Sequence, residues 1–302
     1  MSLVGKVLMA PQGPKFSKIV QGYWRLAAWN MSAQERLSFL KQHVELGIST
    51  VDNAAIYGDS ERLFGEALKL DPSMREQIQL VSKFGINGVI SGQDTKYVAH
   101  YDSSKKSIIA SVERSLQRLG VEQLDALLVH RPDFLMDAGQ VADAFGELKN
   151  SGKVQHFGVS NFNNTQFSLL QSCLDKPLIT NQIEINPLNF SVLEDGSSDL
   201  LQQHHIHPMA WSCLAGGAIF NEKNAQTARL RHTFIQIAEE LGTHSMTQVI
   251  FTWVLKHPSG PVALVGSGNI KRVKEAAGAL QLQMTTEQWY RIWVASKGHD
   301  VA

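Results

Sequence analysis

From end to end the chain alternates short apolar segments with amphipathic helical patterns, and this alternation restricts the possible folds most. Residues 19–22, 50–52, 78–82, 124–129, 154–159, 179–182, 208–212 and 262–265 are brief, mostly apolar and rich in β-branched side chains. Strands buried on both faces read this way, and such burial belongs to parallel sheets covered by helices. Between them, Ile108, Ile109, Val112, Leu116 and Leu119 keep the 3.6-residue spacing of a helix with one apolar face. Val141, Ala144, Phe145 and Leu148 do the same. Ser32 and Asp102 stand where the N-caps of following helices belong. Eight strand–helix units predict an α/β fold closed into a (β/α)8 TIM barrel, and 302 residues suit one such domain over 1–302. A doubly wound open sheet is the alternative. Against it, no G-x-G-x-x-G follows an early strand, and Gly266-Ser267-Gly268 comes after the last.

Two stretches interrupt the alternation. Residues 85–101 and 186–198 are too long for plain strand–helix turns, and long ordered loops at a barrel mouth form substrate walls or lids. Residues 1–14 precede the first strand and are expected to form a hairpin closing the bottom of the barrel.

Charge narrows the partners. Lys plus Arg and Asp plus Glu number 28 each, so no global field draws in nucleic acid or a membrane surface. The two cysteines, Cys173 and Cys213, are too few for a disulfide framework, which favours a reducing compartment. No apolar run approaches the ~20 residues that span a bilayer, and the N-terminus lacks a secretory signal pattern. The expected location is cytoplasmic.

Barrel enzymes carry their chemistry at the C-terminal ends of the strands. Here those ends read Asp52, Lys83, His130, Ser160, Asn161, Gln182, Ser212 and Ser267. Apolar strands ending one after another in ionisable or amide groups predict a shared polar site. Tyr57, five residues past Asp52, reaches back over the mouth. A phenol with a pKa of about 10 is a weak acid at neutral pH, and an ammonium such as Lys83 favours its ionised form. Asp52 would keep Lys83 charged, and His130 would polarise a carbonyl. None of these groups carries electrons, so a redox reaction requires a bound cofactor. Gly266-Ser267-Gly268 opening a helix offers free N–H groups and a positive dipole end to phosphate. On the residues alone, Arg272 is equally a solvated helix charge, and Trp211 equally a core-filling side chain.

The runs Val51-Asp52-Asn53-Ala54-Ala55-Ile56-Tyr57-Gly58, Val81-Ser82-Lys83, Leu127-Leu128-Val129-His130-Arg131-Pro132, Gly158-Val159-Ser160-Asn161-Phe162 and Asn181-Gln182-Ile183-Glu184 resemble the motifs of the aldo-keto reductase family. The likeness covers about residues 19–277 in the family's order. Residues 10–14, 22–26 and 209–214 look closest to the bacterial YdhF-type oxidoreductases within it. The resemblance implies a TIM-barrel oxidoreductase that reduces small aldehydes or ketones with NADP(H). It implies Tyr57 as general acid, assisted by Lys83 and Asp52, with His130 orienting the carbonyl. By the same resemblance Ser160, Asn161 and Gln182 hold the nicotinamide carboxamide and Trp211 stacks on its ring. Ser267 and Arg272 meet the 2′-phosphate, with Gly22, Tyr23, Trp24, Asp52, Ser212, Cys213, Leu214, Gly216, Gly266 and Gly268 completing the cofactor path. No metal is implied.

The sequence also departs from the family. Gly266 and Ala276 stand where many members have Lys and Asn, which leaves NADH possible. Tyr23-Trp24 replaces a commoner Thr-Trp pair, and this alters the pocket beside the nicotinamide. Trp24, Trp29, Phe84 and Tyr101 are candidates for an aromatic pocket wall suited to an apolar carbonyl compound. Two other functions are open: a Schiff-base aldolase through Lys83, and a nucleotide-binding regulatory subunit acting with another protein. His204, His205 and His207 read as a solvated turn, Cys213 as structural, and Asn163-Asn164 and Asp71-Pro72 as turn chemistry.

Overall fold

The computed structural model describes residues 3–88, 98–221 and 224–302. A hairpin of β1 (Lys6–Leu8) and β2 (Lys15–Ser17) leads into β3 (Ile19–Gly22), β4 (Thr50–Asp52) and β5 (Gln79–Phe84). A small pair, β6 (Ile86–Asn87) and β7 (His100–Tyr101), precedes β8 (Leu124–Val129), β9 (Val154–Ser160), β10 (Asn181–Glu184), β11 (Met209–Trp211) and β12 (Val262–Val265). Eight of these close into a barrel in the order β10-β11-β12-β3-β4-β5-β8-β9, every neighbouring pair parallel. The eight expected strands are all present. The fifth observed barrel strand in chain order runs one residue beyond 159, and the sixth starts at Asn181 rather than 179, both gaining residues at the mouth.

Helices cover the barrel. They are α1 (Ala33–Glu45), α2 (Ser60–Leu70), α3 (Met74–Gln77), α4 (Lys105–Leu119), α5 (Ala138–Asn150) and α6 (Asn164–Gln171) in the first two-thirds of the chain. Then follow α7 (Ser191–Glu194), α8 (Ser197–Gln203), α9 (Ala225–Glu240), α10 (Met246–Leu255), α11 (Ile270–Gly278) and α12 (Thr286–Lys297). Ser32 caps α1 through a capping box with Glu35, as its position predicts. Asp102 is not a cap. Ser104 caps α4, and Asp102 instead accepts the Ser104 amide at 3.0 Å, which sets the turn before the helix. Asn163 also does more than turn the chain, closing a capping box with Gln166 on α6. Asp71 pairs with Lys41 at 2.7 Å.

The β1–β2 hairpin closes the N-terminal end of the barrel, although it extends to Ser17 rather than stopping at Pro14. Ser17 and Thr50 exchange main-chain to hydroxyl hydrogen bonds of 2.9 and 3.0 Å, and the His207 amide donates to the Met9 carbonyl at 2.8 Å. His207 is therefore no solvated turn residue: its Nδ1 lies 2.6 Å from the Gly260 carbonyl, while His204 and His205 are exposed. Of the long loops, 186–198 holds a bridge between Asn186 and Asn189 and two short helices. The core of the other, 89–97, lies outside the described residues. No described helix is long and apolar enough to cross a membrane.

The barrel wall is packed tightly enough to exclude a methyl group at Gly158. A Cβ there would stand 2.7 Å from Leu128 Cδ2 and 2.9 Å from the Thr180 carbonyl, so β8, β9 and β10 close only around a bare Cα. Gly158→Ala is expected to destabilise the fold by about 1–3 kcal/mol through overpacking. A lowered urea midpoint at unchanged slope checks this; an unshifted midpoint refutes it.

Candidate active site

The closed barrel gathers the polar strand ends at one face. Asp52 ends β4, Lys83 stands one residue from the end of β5, His130 follows β8, Ser160 ends β9, Gln182 lies on β10 and Trp211 ends β11. Interstrand hydrogen bonds continue past these ends, with the His130 amide donating to the Phe84 carbonyl at 2.9 Å and that of Asn161 to Gln182 at 3.0 Å. Each catalytic-type side chain is thus carried by a fixed main chain.

Lys83 is the centre of the arrangement. Its Nζ donates to Asp52 Oδ2 at 2.6 Å, to the Asn53 carbonyl at 2.9 Å and to the Tyr57 hydroxyl at 3.2 Å. Both Lys83 and Asp52 are buried. Burial would strip the ammonium of its proton, but the Asp52 carboxylate and the Tyr57 oxygen outweigh it and hold the Lys83 pKa above its ordinary value. All three donors are engaged, so Nζ is not the free amine that Schiff-base chemistry requires, and the lysine-aldolase reading fails here.

Tyr57 reaches Lys83 because residues 53–59 fold back in successive turns, with Tyr57 N bonded to the Ala54 carbonyl and Ser60 N to that of Tyr57. Its phenol corrects one expectation. Lys83 does pull the pKa down, but burial is the larger effect, and the net shift is upward. The half-buried ring stands edge-on to His130 with centroids 5.6 Å apart. Burial first, then the charges of Lys83 and Arg131, depress His130 to about 2, so the imidazole is neutral.

Gln182 faces Asp52. Its amide donates to Asp52 Oδ1 at 2.8 Å, a contact the resemblance does not imply. Ser160 Oγ donates to the Gln182 carbonyl at 2.8 Å, and Asn161 bridges Ser160 Oγ at 2.8 Å and the His130 carbonyl at 3.3 Å. Trp211 is tethered by its indole N–H to Asn161 Oδ1 at 3.1 Å, and the Arg131 guanidinium lies 5.7 Å from its ring centroid. This rim holds three non-glycine residues in the left-handed region, Asn161, Ser212 and Ala215, with φ of 61°, 56° and 49°. Non-glycine residues hold such angles only where surrounding structure enforces them.

The phosphate-type segment is equally braced. Asn269 caps α11, Ser267 Oγ accepts the Asn269 amide at 3.1 Å, and buried Gln21 donates to the Ser267 carbonyl at 3.2 Å. A Cβ on Gly268 would stand 2.5 Å from the Trp29 ring, so this segment packs flat on the indole. Trp29 therefore supports the segment, its ring occupied by Gly268. Phe84 is withdrawn from the wall, buried edge-on to Phe145. Trp24 and Tyr101 are exposed, with Trp24 6.2 Å from Tyr57 between ring centroids.

Tyr23 points away from the mouth. Its phenol is buried among Trp29, Phe39 and Phe64 and lies 2.8 Å from His43 Nε2. The Ile48 carbonyl, 2.7 Å from His43 Nδ1, can only accept, so Nδ1 carries the proton and Nε2 takes the phenol's. Cys213 likewise turns inward, its thiol on the Ala210 carbonyl and pushed up to about 12 by burial, hence unreactive. For both residues only main-chain atoms remain available to a ligand. Gly22, Leu214 and Gly266 fall on the same face as Ser212 and Gly216, and Gly266 has open space where a Cβ would be.

The family model described as "Aldo/keto reductase family" matches residues 18–296. The chain belongs to the aldo/keto reductase family. As an aldo/keto reductase it is an NAD(P)H-dependent oxidoreductase acting on carbonyl and alcohol groups. It is 50% identical to Oxidoreductase YdhF of Escherichia coli (strain K12) over 99% of this chain and 100% of that protein. It is 36% identical to a 6-dehydroglucose reductase of Agrobacterium fabrum over 95% of this chain and 97% of the relative. The structure of a glycerol dehydrogenase from Gluconobacter oxydans superposes with a TM-score of 0.84 at 23% identity, covering 99% and 97% of the two chains, a likeness of fold.

Two braces of this aldo/keto reductase site carry no motif signal, Glu61 accepting from Ser82 Oγ at 2.7 Å and Arg118 donating to the Ala55 carbonyl at 3.3 Å; Gln182 lies in a motif, but its bond to Asp52 does not show there. Gln21, which braces Ser267, had a signal available: a polar residue inside an otherwise apolar strand buried on both faces.

Proposed function

We propose that this chain, acting as one barrel domain, reduces aldehydes or ketones to alcohols with NADPH, Tyr57 being the general acid. The observation that carries this reading is the buried Lys83 ammonium bonded at once to Asp52 and to the Tyr57 hydroxyl at the mouth. The residues fit a dinucleotide. Gly266 leaves an open cradle at the capped start of α11, and Arg272, exposed in that helix's first turn, has no ion-pair partner among the described residues. Trp211 offers a tethered aromatic face beside the Ser160–Asn161–Gln182 amide array. A reduced nicotinamide, when bound, supplies the hydride that these side chains cannot.

The protein's own part is proton management. Burial keeps the Tyr57 phenol protonated at neutral pH, ready to donate to the carbonyl oxygen as negative charge grows there. The phenolate that remains stands 3.2 Å from the Lys83 ammonium, which stabilises it until solvent returns a proton. Asp52 keeps Lys83 charged, and Gln182 fixes the carboxylate. The His130 ring is neutral and its Nδ1 is buried with no partner among the described residues, which favours the Nε2–H tautomer, the one able to donate to a carbonyl.

NADPH oxidation measured against a panel of aldehydes and ketones, with NADH in parallel, tests the reading. Arg272→Ala is expected to weaken NADPH binding by about 10- to 150-fold, the range of a charge-assisted hydrogen bond, and NADH binding far less. Equal losses for both cofactors would show that Arg272 does not meet the 2′-phosphate.

A further inference from the structure

Three carboxylates described at the mouth are held by partners other than arginine: Asp52 by Lys83 and Gln182, Asp133 by the Ser103 amide and hydroxyl and the Leu135 amide, and Glu184 by Asn186 and Asn189. Three exposed arginines on the same face, Arg25, Arg131 and Arg272, have no ion-pair partner among the described residues. Two of them lie toward the dinucleotide path. Arg272 opens α11, and a guanidinium nitrogen of Arg25 stands 3.9 Å from where a Cβ on Gly216 would be. Arg131 lies at the nicotinamide end of that path, beside the group of Asp52, Tyr57, Lys83 and His130. It follows His130 directly, and its guanidinium carbon is 5.7 Å from the Trp211 ring centroid.

We propose that Arg131 is a specificity-determining residue that selects carbonyl substrates bearing an anionic group, a carboxylate or a phosphate. This rests on the carbonyl-reductase reading above. The guanidinium carbon lies within cation–π reach of the Trp211 ring, 5.7 Å from its centroid, and with no ion-pair partner among the described residues its planar N–H fork is available to a carboxylate or phosphate. Its position is on the reacting side of the mouth. The Arg131 charge reaches both groups that would flank the carbonyl, adding to burial and Lys83 in depressing His130 and opposing the burial-driven rise at Tyr57. A substrate anion seated on Arg131 would offset the positive charge beside His130 and hold the carbonyl near Tyr57. A lysine here would serve less well, because a point charge does not bind an anion in two places.

The test is a matched pair: 4-carboxybenzaldehyde and its methyl ester, alike in shape apart from the charge. With saturating NADPH, the wild type is expected to favour the acid over the ester by about 10-fold in kcat/KM, expressed mainly in KM. In Arg131→Met that ratio should fall to about 1, Arg131→Lys should retain part of it, and salt should erode the acid's advantage alone. An added arm with 4-formylphenyl phosphate decides which anion is preferred. A wild-type ratio of 1 or less, or a wild-type ratio surviving in Arg131→Met, overturns the proposal. If the wild type reduces neither aldehyde, the broader NADPH-oxidation panel tests the reductase reading separately, and binding tests the anion site. Calorimetric binding of 4-carboxybenzyl alcohol then decides the Arg131 assignment: about 10-fold weaker binding to Arg131→Met supports it, and equal binding overturns it.

Discussion

Replacing Tyr57 with phenylalanine is expected to slow carbonyl reduction by about 10²- to 10⁴-fold, the usual contribution of a general acid. The ring stays in its edge-on contact with His130 and only the hydroxyl is lost, so the fold and NADPH affinity should be nearly unchanged. The upward pKa shift of the phenol does not weaken this expectation. An acid must be protonated when the substrate arrives, and an alkoxide is far more basic than a phenolate, so the proton still moves downhill. The Lys83 ammonium matters after the transfer, when it faces a newly formed anion at 3.2 Å. For that reason Tyr57→Phe/Lys83→Met should be little slower than Tyr57→Phe alone, since residues acting as one unit are not additive. Single-turnover reduction at saturating substrate measures both variants. Near-wild-type turnover by Tyr57→Phe would sink the assignment.

Much of this architecture was legible because strand and helix patterns depend on local periodicity. The 19–22, 50–52, 124–129 and 262–265 segments match the observed strands to the residue, since a short apolar run bounded by polar, Gly or Pro residues leaves little room to slide. The polar ends themselves marked the site, because a parallel barrel brings all C-terminal strand ends to one face. What stayed hidden depends on where side chains turn. Tyr23, Trp29 and Phe84 lie next to the mouth in sequence, yet each packs outward or downward against helices or the α11 segment. An aromatic residue at a strand end has two directions open to it, and only the packed neighbours decide between them. The sign of the Tyr57 shift was hidden for a related reason: Lys83 is visible in the sequence, whereas the depth of burial that outweighs it is not. Gln182 shows the same limit at the level of a single contact, with one amide positioned to serve Asp52 as well as a ligand.

The same burial makes Lys83→Met costly in two separable ways. Removing the ammonium leaves Asp52 buried with the Gln182 amide as its remaining side-chain donor. Breaking one half of a buried ion pair destabilises a protein by about 3–5 kcal/mol, because a charge is left without its counter-ion, so the urea midpoint should fall markedly. Reduction should slow as well, since the Tyr57 phenolate loses its cation. Asp52→Leu/Lys83→Met distinguishes the two losses. Replacing both members of a buried pair with apolar groups of similar volume is often neutral or stabilising, so the double variant should recover most of the lost stability while remaining as slow as Lys83→Met. Denaturation midpoints and single-turnover rates on the same preparations give both quantities. Stability that stays low in the double variant would mean that Lys83 acts mainly through its bond to the Asn53 carbonyl and its packing. A rate that recovers with stability would mean that the ammonium supports the fold and takes no part in the chemistry of Tyr57.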